Sequence, residues 1–262
     1  MKEEKDMTTN TVTDQVSAEA FPGKVLSDTS GLTTTIMASI GDRLGLFRNL
    51  AESPATSTEL AQRTHTDERY VREWLCAMTS AGYITYDPAS SRFALPAAHI
   101  PVLVQENGPM FLRCVWSVNR TRQNAGATGW SDRANTFPTI GRFAGDSRTV
   151  IITTFDVIHD SAKPRELLRS IRAALQPDGR YVCLEINAAE TLEQNAGPLG
   201  SFLYGFSVLY CMTSSLAKHG EGLGTMGMPE SKVRALCTEA GFSKVQRIPM
   251  ENPFNSLYEV TL

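Results

Sequence analysis

The sequence predicts an α/β chain in two parts, a mostly helical N-terminal half and a C-terminal half built on a parallel sheet. Three observations predict it. Apolar residues recur at helical spacing between Leu32 and Met78. "RTVIITTFDVIHD" (148–160) and "YVCLEI" (181–186) are nearly continuous apolar runs, as expected for strands buried on both faces. Between them lies a helical stretch, and strand, helix and strand in that order make a right-handed parallel crossover.

The opening "MKEEKDMTTNTVTDQVSAEA" has no apolar core for a signal peptide and reads as a flexible tail over residues 1–20. Leu32, Ile36, Ile40, Leu44 and Phe47 then trace one apolar helical face. In "TSTELAQR", Thr56 and Glu59 fit a capping box for a short second helix. "THTDERYVREWLCAMTSAG" predicts a third helix capped by Thr66, with Asp67 and Glu68 at its positive end and Gly82 at its stop. Its apolar face is Tyr70, Val71, Trp74, Leu75 and Met78. "YITYDPASSRFAL" reads as strand, turn and strand around Asp87-Pro88. Three helices and a hairpin make a winged helix, assigned to residues 21–112. Arg69 and Arg72 are outnumbered on the third helix by Asp67, Glu68 and Glu73, and the hairpin carries only Arg92. A nucleic-acid interface needs a basic face, so this part is read as a dimerisation and substrate-covering domain with no nucleic-acid partner.

Residues 113–262 form the second domain. "KPRELLRSIRAALQPDGR" places Leu167, Leu168, Ile171 and Leu175 on one helical face, and Pro177-Asp178-Gly179 turns the chain. Ligands of such sheets sit beyond the carboxyl ends of the strands, where Phe155, Asp156, His159 and Glu185 fall. "GPLGSFLYGFSVLYCMTSSLAKHGEGLG" predicts a helical insert able to cover the site, with Phe202, Tyr204, Phe206 and Tyr210 at helical spacing. "MPESKVRALCTEAGF" is a further helix, and "SKVQRIPM" and "NSLYEVTL" pair as a closing hairpin.

Composition narrows the partners. The 262 residues carry a net charge of −3, which gives no electrostatic footprint for nucleic acid or an anionic membrane. The five cysteines are far apart and show neither a zinc pair nor a disulfide framework. They read as reduced thiols of a cytoplasmic protein, and no metal site is expected. The longest apolar run, "FLYGFSVLYCM", is shorter than the ~20 residues a bilayer crossing takes.

One stretch looks like a nucleotide-binding corner. In "NAGATGWSDRANTFPTIGRFAGDS", Gly126 and Gly129 form a turn and Asp146 closes the segment, at the spacing 146 − 126 = 20. That is the separation at which an acid reaches a cofactor ribose.

Together, "TDERYVREWLCAMTSAGYITYDP", "TTFDVIHDSAKP", "LQPDGRYVCLEI", the insert and "LCTEAGFSKV" resemble the class I S-adenosylmethionine-dependent methyltransferases, in particular small-molecule enzymes carrying an N-terminal winged helix. The resemblance covers most of residues 32–104 and 150–262. It implies a Rossmann-like sheet, S-adenosylmethionine as cofactor, a small apolar or aromatic acceptor and a homodimer. Position by position it implies that Gly126 and Gly129 approach the methionine end of the cofactor and Asp146 binds its ribose, while Phe155 and Asp156 end the fourth strand beside the methyl group. His159 is the first candidate for a base that takes a proton from the acceptor, and Glu185 the second.

The chain departs from that pattern in its cofactor region, residues 113–149. "VWSVNRTRQNAG" puts Arg120, Arg122, Gln123 and Asn124 where the first strand should be apolar. Only Ser147, Arg148 and Thr149 separate Asp146 from the run at Val150, whereas a parallel crossover needs about a dozen residues. The expected sheet is therefore incomplete, and two readings stand. One is a methyltransferase. The other is a non-catalytic relative that has lost cofactor binding and serves as a dimeric scaffold or ligand-binding partner.

Overall fold

The computed structural model describes residues 20–105 and 149–262. Helix α1 (Phe21–Arg43) starts with Pro22 in its first turn, where the missing N–H costs nothing. It is followed by α2 (Leu46–Glu52), α3 (Ser57–Thr64) and α4 (Glu68–Ser80). The predicted capping box is present: Thr56 Oγ1 accepts from the Glu59 N–H, and the Glu59 carboxylate accepts from the Thr56 N–H. The predicted cap of α4 needs correcting. Asp67, not Thr66, is the N-cap, and its carboxylate accepts from the Arg69 N–H. Gly82 (φ 77°) turns the chain out of α4. Strands β1 (Thr85–Asp87) and β2 (Arg92–Ala94) pair antiparallel as the predicted hairpin, and a short helix α5 (Ile100–Leu103) follows.

The apolar face predicted over Leu32 to Phe47 is divided in the fold: α1 ends before Leu44, Phe47 is 1 % exposed on α2, Ile36 and Ile40 pack half-buried against the same core, and Leu32 is 63 % exposed. Among the buried residues of α1 are Thr33, Thr34, Met37, Ala38 and Gly41. The reason lies in its partners. Gly41 lies against the Trp74 ring, where a Cβ would collide, and Gly205 lies in the same way against the Thr33 methyl. Small residues bring the helices close enough for Thr34 Oγ1 to meet Ser201 Oγ at 2.8 Å, and for the Trp74 Nε1–H to donate to the Met37 carbonyl at 2.8 Å. Val71, Trp74, Leu75 and Met78 of α4 are buried as its periodicity predicts. Each such side chain contributes about 1.5–3 kcal/mol.

In the second half, β3 (Thr149–Phe155) leads through α6 (Pro164–Ala174) to β4 (Leu175–Ile186). The two strands are parallel, so the predicted crossover is present. Pro177 to Gly179 bulge out between the pairs Thr149–Leu175 and Ile151–Arg180 instead of ending a helix before a separate strand. After α8 (Glu230–Glu239), strands β5 (Lys244–Ile248) and β6 (Asn255–Thr261) form the closing hairpin. The described sheet runs β3-β4-β6-β5, with β6 antiparallel to both neighbours. Leu168, Ile171, Tyr181, Val233, Leu236, Tyr258 and Val260 form the core between this sheet and α6 and α8.

The predicted insert is one continuous helix, α7, spanning Pro198–Leu216, 19 residues. Its middle, Ser207–Cys211, is wound as a π-helix. By length and composition α7 is long and apolar enough to cross a membrane, unlike the shorter run read from the sequence, but half of it is buried inside the molecule. Leu203 and Tyr204 belong to the same core as Met37, Trp74 and Met78. Packing against α1 and α4 thus accounts for its apolar character.

Candidate functional site at the carboxyl ends of β3 and β4

Parallel pairing sets the site. Phe155 lies opposite Leu184, so the residues after Phe155 and Glu185 emerge at the same end of the sheet. The Asp156 N–H donates to the Leu184 carbonyl, and Asp156 then takes φ 52°, a left-handed conformation that is uncommon outside glycine. This bend carries the chain back across the end of β4. There the Ile158 N–H donates to Glu185 Oε1 at 2.7 Å, and the His159 Nδ1–H donates to Glu185 Oε2 at 2.6 Å. His159 Nε2 lies 3.2 Å from Asp160 Oδ1. Glu185 is fully buried and His159 is 3 % exposed. The sequence thus names two residues that the fold brings into direct contact.

Burial alone would push His159 down, but its close contacts with Asp160, Cys211 and Glu185, together with the Glu185 charge, outweigh it and raise the imidazole to about 12. The surroundings thus favour the charged form of His159. It is buried with a carboxylate beside each nitrogen, and a base needs an open lone pair within reach of the acceptor. Burial opposes ionisation of Asp160, yet its contacts with His159 and Cys211 hold its carboxyl below the usual range. Burial, with the Glu185 charge beside it, pushes Asp156 up, against the hydrogen bond that Asn255 Nδ2 donates to Asp156 Oδ1 at 2.8 Å.

The remaining candidates separate. Phe155 is 61 % exposed at the end of β3, an edge strand of the described sheet. The Asp156 carboxylate is turned towards Asn255 of β6. Gly126, Gly129 and Asp146 lie outside the described residues. Cys211, read from the sequence only as a core thiol, is 2 % exposed and lies against His159 and Asp160. No local pattern in the sequence signals that approach, because it depends on how α7 docks.

Two cavities lie among the described residues, and neither is lined by His159 or Glu185. A cleft of about 240 Å³ lies beyond β4 and includes Asn187, Asn195, Leu199, Leu203 and Met226 in its lining. A larger apolar cavity of about 400 Å³ lies between α1, α4 and the π turn, with Ile40, Leu44, Tyr70, Trp74 and Val208 among its walls. Only the second reaches the ~300–1,000 Å³ usual for a small organic ligand.

Residues 32–105 match the family model of the Rv2258c-like winged HTH domain. Among solved structures, the chain is similar to an O-methyltransferase family 2 protein from Planctomyces limnophilus in complex with apigenin. That match has a TM-score of 0.60 and 15 % identity, and covers 91 % of this chain and 95 % of that one. Human N-acetylserotonin methyltransferase in complex with SAM aligns at 12 % identity over 96 % of this chain and 99 % of that one, with a TM-score of 0.34. No curated protein sequence matches the chain. Residues 32–105 are thus a winged HTH domain, and the mixed α/β fold of the chain is similar to that of the Planctomyces O-methyltransferase family 2 protein.

Proposed function

We propose that this chain is an S-adenosylmethionine-dependent methyltransferase acting on a small, apolar or aromatic acceptor. The observation that carries the reading is the approach of Asp156, His159 and Glu185 to one another at the carboxyl ends of two parallel strands, within a fold shared with an O-methyltransferase. The cofactor, when bound, supplies an electrophilic methyl group on a sulfonium. The residues at hand suit such a group: Phe155 offers an exposed ring at the strand end, and Asp156 adds a half-buried carboxylate beside it. Gly126, Gly129 and Asp146 would complete the cofactor site.

His159 and Glu185 act in this reading as positioning residues. Glu185 fixes both the Ile158 backbone and the imidazole, which holds the turn after β3 in one geometry. Preorganisation and exclusion of water then supply the acceleration. An acceptor that must lose a proton would give it to solvent or to a group other than His159. Helix α7 and the winged helix would cover the acceptor, and a pair of chains would meet through the exposed Phe21, Val25, Leu209 and Tyr210.

Calorimetric titration of the full chain with S-adenosylmethionine and S-adenosylhomocysteine tests this reading, with apigenin as the first acceptor tried. Saturable binding that is lost in Asp146→Ala supports it. A folded protein that binds neither compound would favour the second reading, a scaffold that has lost its cofactor.

A further inference from the structure

We propose that His159 Nε2, Asp160 Oδ1 and Cys211 Sγ form a binding site for a divalent transition-metal ion of the zinc class. These three donor atoms lie within 4.8 Å of one another. The Nε2 to Oδ1 separation is 3.2 Å, and two donors at about 2.0–2.1 Å from a tetrahedral ion stand about 3.3 Å apart. Close as they are, the two atoms are not aligned as a hydrogen bond, and Asp160 Oδ1 is buried with no hydrogen-bond partner. A second orphan lies beside them. Thr225 is 2 % exposed and packs at the Cys211 thiol, and its Oγ1 likewise has no hydrogen-bond partner. A buried oxygen left unpartnered is unfavourable, and a cation satisfies the Asp160 oxygen directly.

The surroundings fit the same assignment. A histidine that binds metal through one nitrogen characteristically donates its other N–H to a carboxylate, which fixes the tautomer. Here Nδ1–H donates to Glu185 Oε2 at 2.6 Å, and Glu185 is itself held by the Ile158 N–H. Asp156 and Glu185 also lie close to His159, but Nδ1 is committed to Glu185, which makes that side the support and the Nε2 side the site. Cys211 closes the π-helical stretch of α7, and π turns occur frequently at functional sites because they re-aim side chains.

Binding replaces two protons with one ion. The thiol proton of Cys211 and the Nε2 proton of His159 leave to solvent, and a neutral imidazole, a carboxylate and a thiolate take the metal. Three protein ligands leave a fourth position for water or for the Thr225 hydroxyl. The ion would tie the turn after β3 to α7. This inference does not rest on methyl transfer and is tested without it.

The test is titration of the chelator-treated full chain with Zn²⁺ against a chromophoric indicator, and with Co²⁺ followed by absorbance. One ion per chain is expected, with a thiolate-to-cobalt charge-transfer band. Cys211→Ser should abolish the band, Asp160→Asn should weaken binding about tenfold or more, and Glu185→Gln about 10–100-fold. Cys237→Ser, which removes a buried thiol elsewhere, should leave binding intact. Circular dichroism of each variant separates loss of the site from loss of the fold. A folded wild-type chain that takes up neither ion, or uptake that Cys211→Ser and Asp160→Asn leave unchanged, would overturn the proposal.

Discussion

At the scale of single residues, Glu185 carries more of the local geometry than any neighbour, because both of its oxygens hold groups from the turn after β3. Removing one partner of a buried charged pair leaves the other uncompensated, at a cost of about 3–5 kcal/mol. Glu185→Ala is expected to lower the urea midpoint accordingly, and an unchanged midpoint would mean that His159 is not charged in the folded state. The pH dependence has a definite sign. His159 is raised from an ordinary value near 6.5 to about 12, so its stabilising contribution is complete below about pH 6.5 and is lost as pH rises towards the folded value. In metal-free protein, the stability advantage of wild type over His159→Gln should shrink between pH 7 and 9, by at most about 1.4 kcal/mol per pH unit. A growing advantage would contradict the assignment. Of this constellation His159 and Glu185 were legible in the sequence as candidates, because both fall at ends of apolar strands. Their mutual contact follows from the left-handed bend at Asp156, which no spacing rule encodes.

At the scale of elements, the joint between α1 and α7 is built from glycine, threonine and serine. Gly205→Ala would drive a methyl group into Thr33, and overpacking of this kind costs about 1–3 kcal/mol. The variant is expected to melt earlier than wild type, and restoring room with Gly205→Ala/Thr33→Ser should recover part of the loss. An unaltered melting temperature in the single variant would show that the two helices are free to separate. The aliphatic stripe of α1 is only partly used, for a physical reason. A helix buries the face that fits its partner most closely, so Ile36 and Ile40 stay half-buried and Leu32 exposed while the small residues make the close approach. The strands were read more securely, because β3 and β4 each carry a run rich in β-branched and apolar residues, although Ile151 and Phe155 of β3 are exposed in the described fold. The same reading missed that Pro177 to Gly179 remain in the path of β4 as a bulge.

Over the whole molecule, the two halves are tied together by α7 and by one arginine. Arg69 of α4 donates to the carbonyls of Gly222 and Leu223 and pairs with Glu73. Arg72 is taken up by Glu68 on the same helix, so the third helix of the wing spends its cations inside the chain rather than on an external anion. Arg69→Ala is expected to free the stretch 217–228, read as faster cleavage there in limited proteolysis with little change at β5 and β6. Equal cleavage rates would show that the loop is held by other contacts. Helix α7 is thus part of the winged-helix core.

The sequence by itself determined the capping box of α3, the apolar face of α4, the parallel crossover and the closing hairpin. Each of these rests on periodicity, caps and apolar runs, which are local properties. The tertiary structure alone decided that Cys211 meets His159 and Asp160, that α1 turns its small residues inward, and that α7 packs into the core of the first half. Those outcomes depend on how distant segments dock, and docking is settled by shape and by the need to satisfy buried polar groups, neither of which is written in the spacing of one segment.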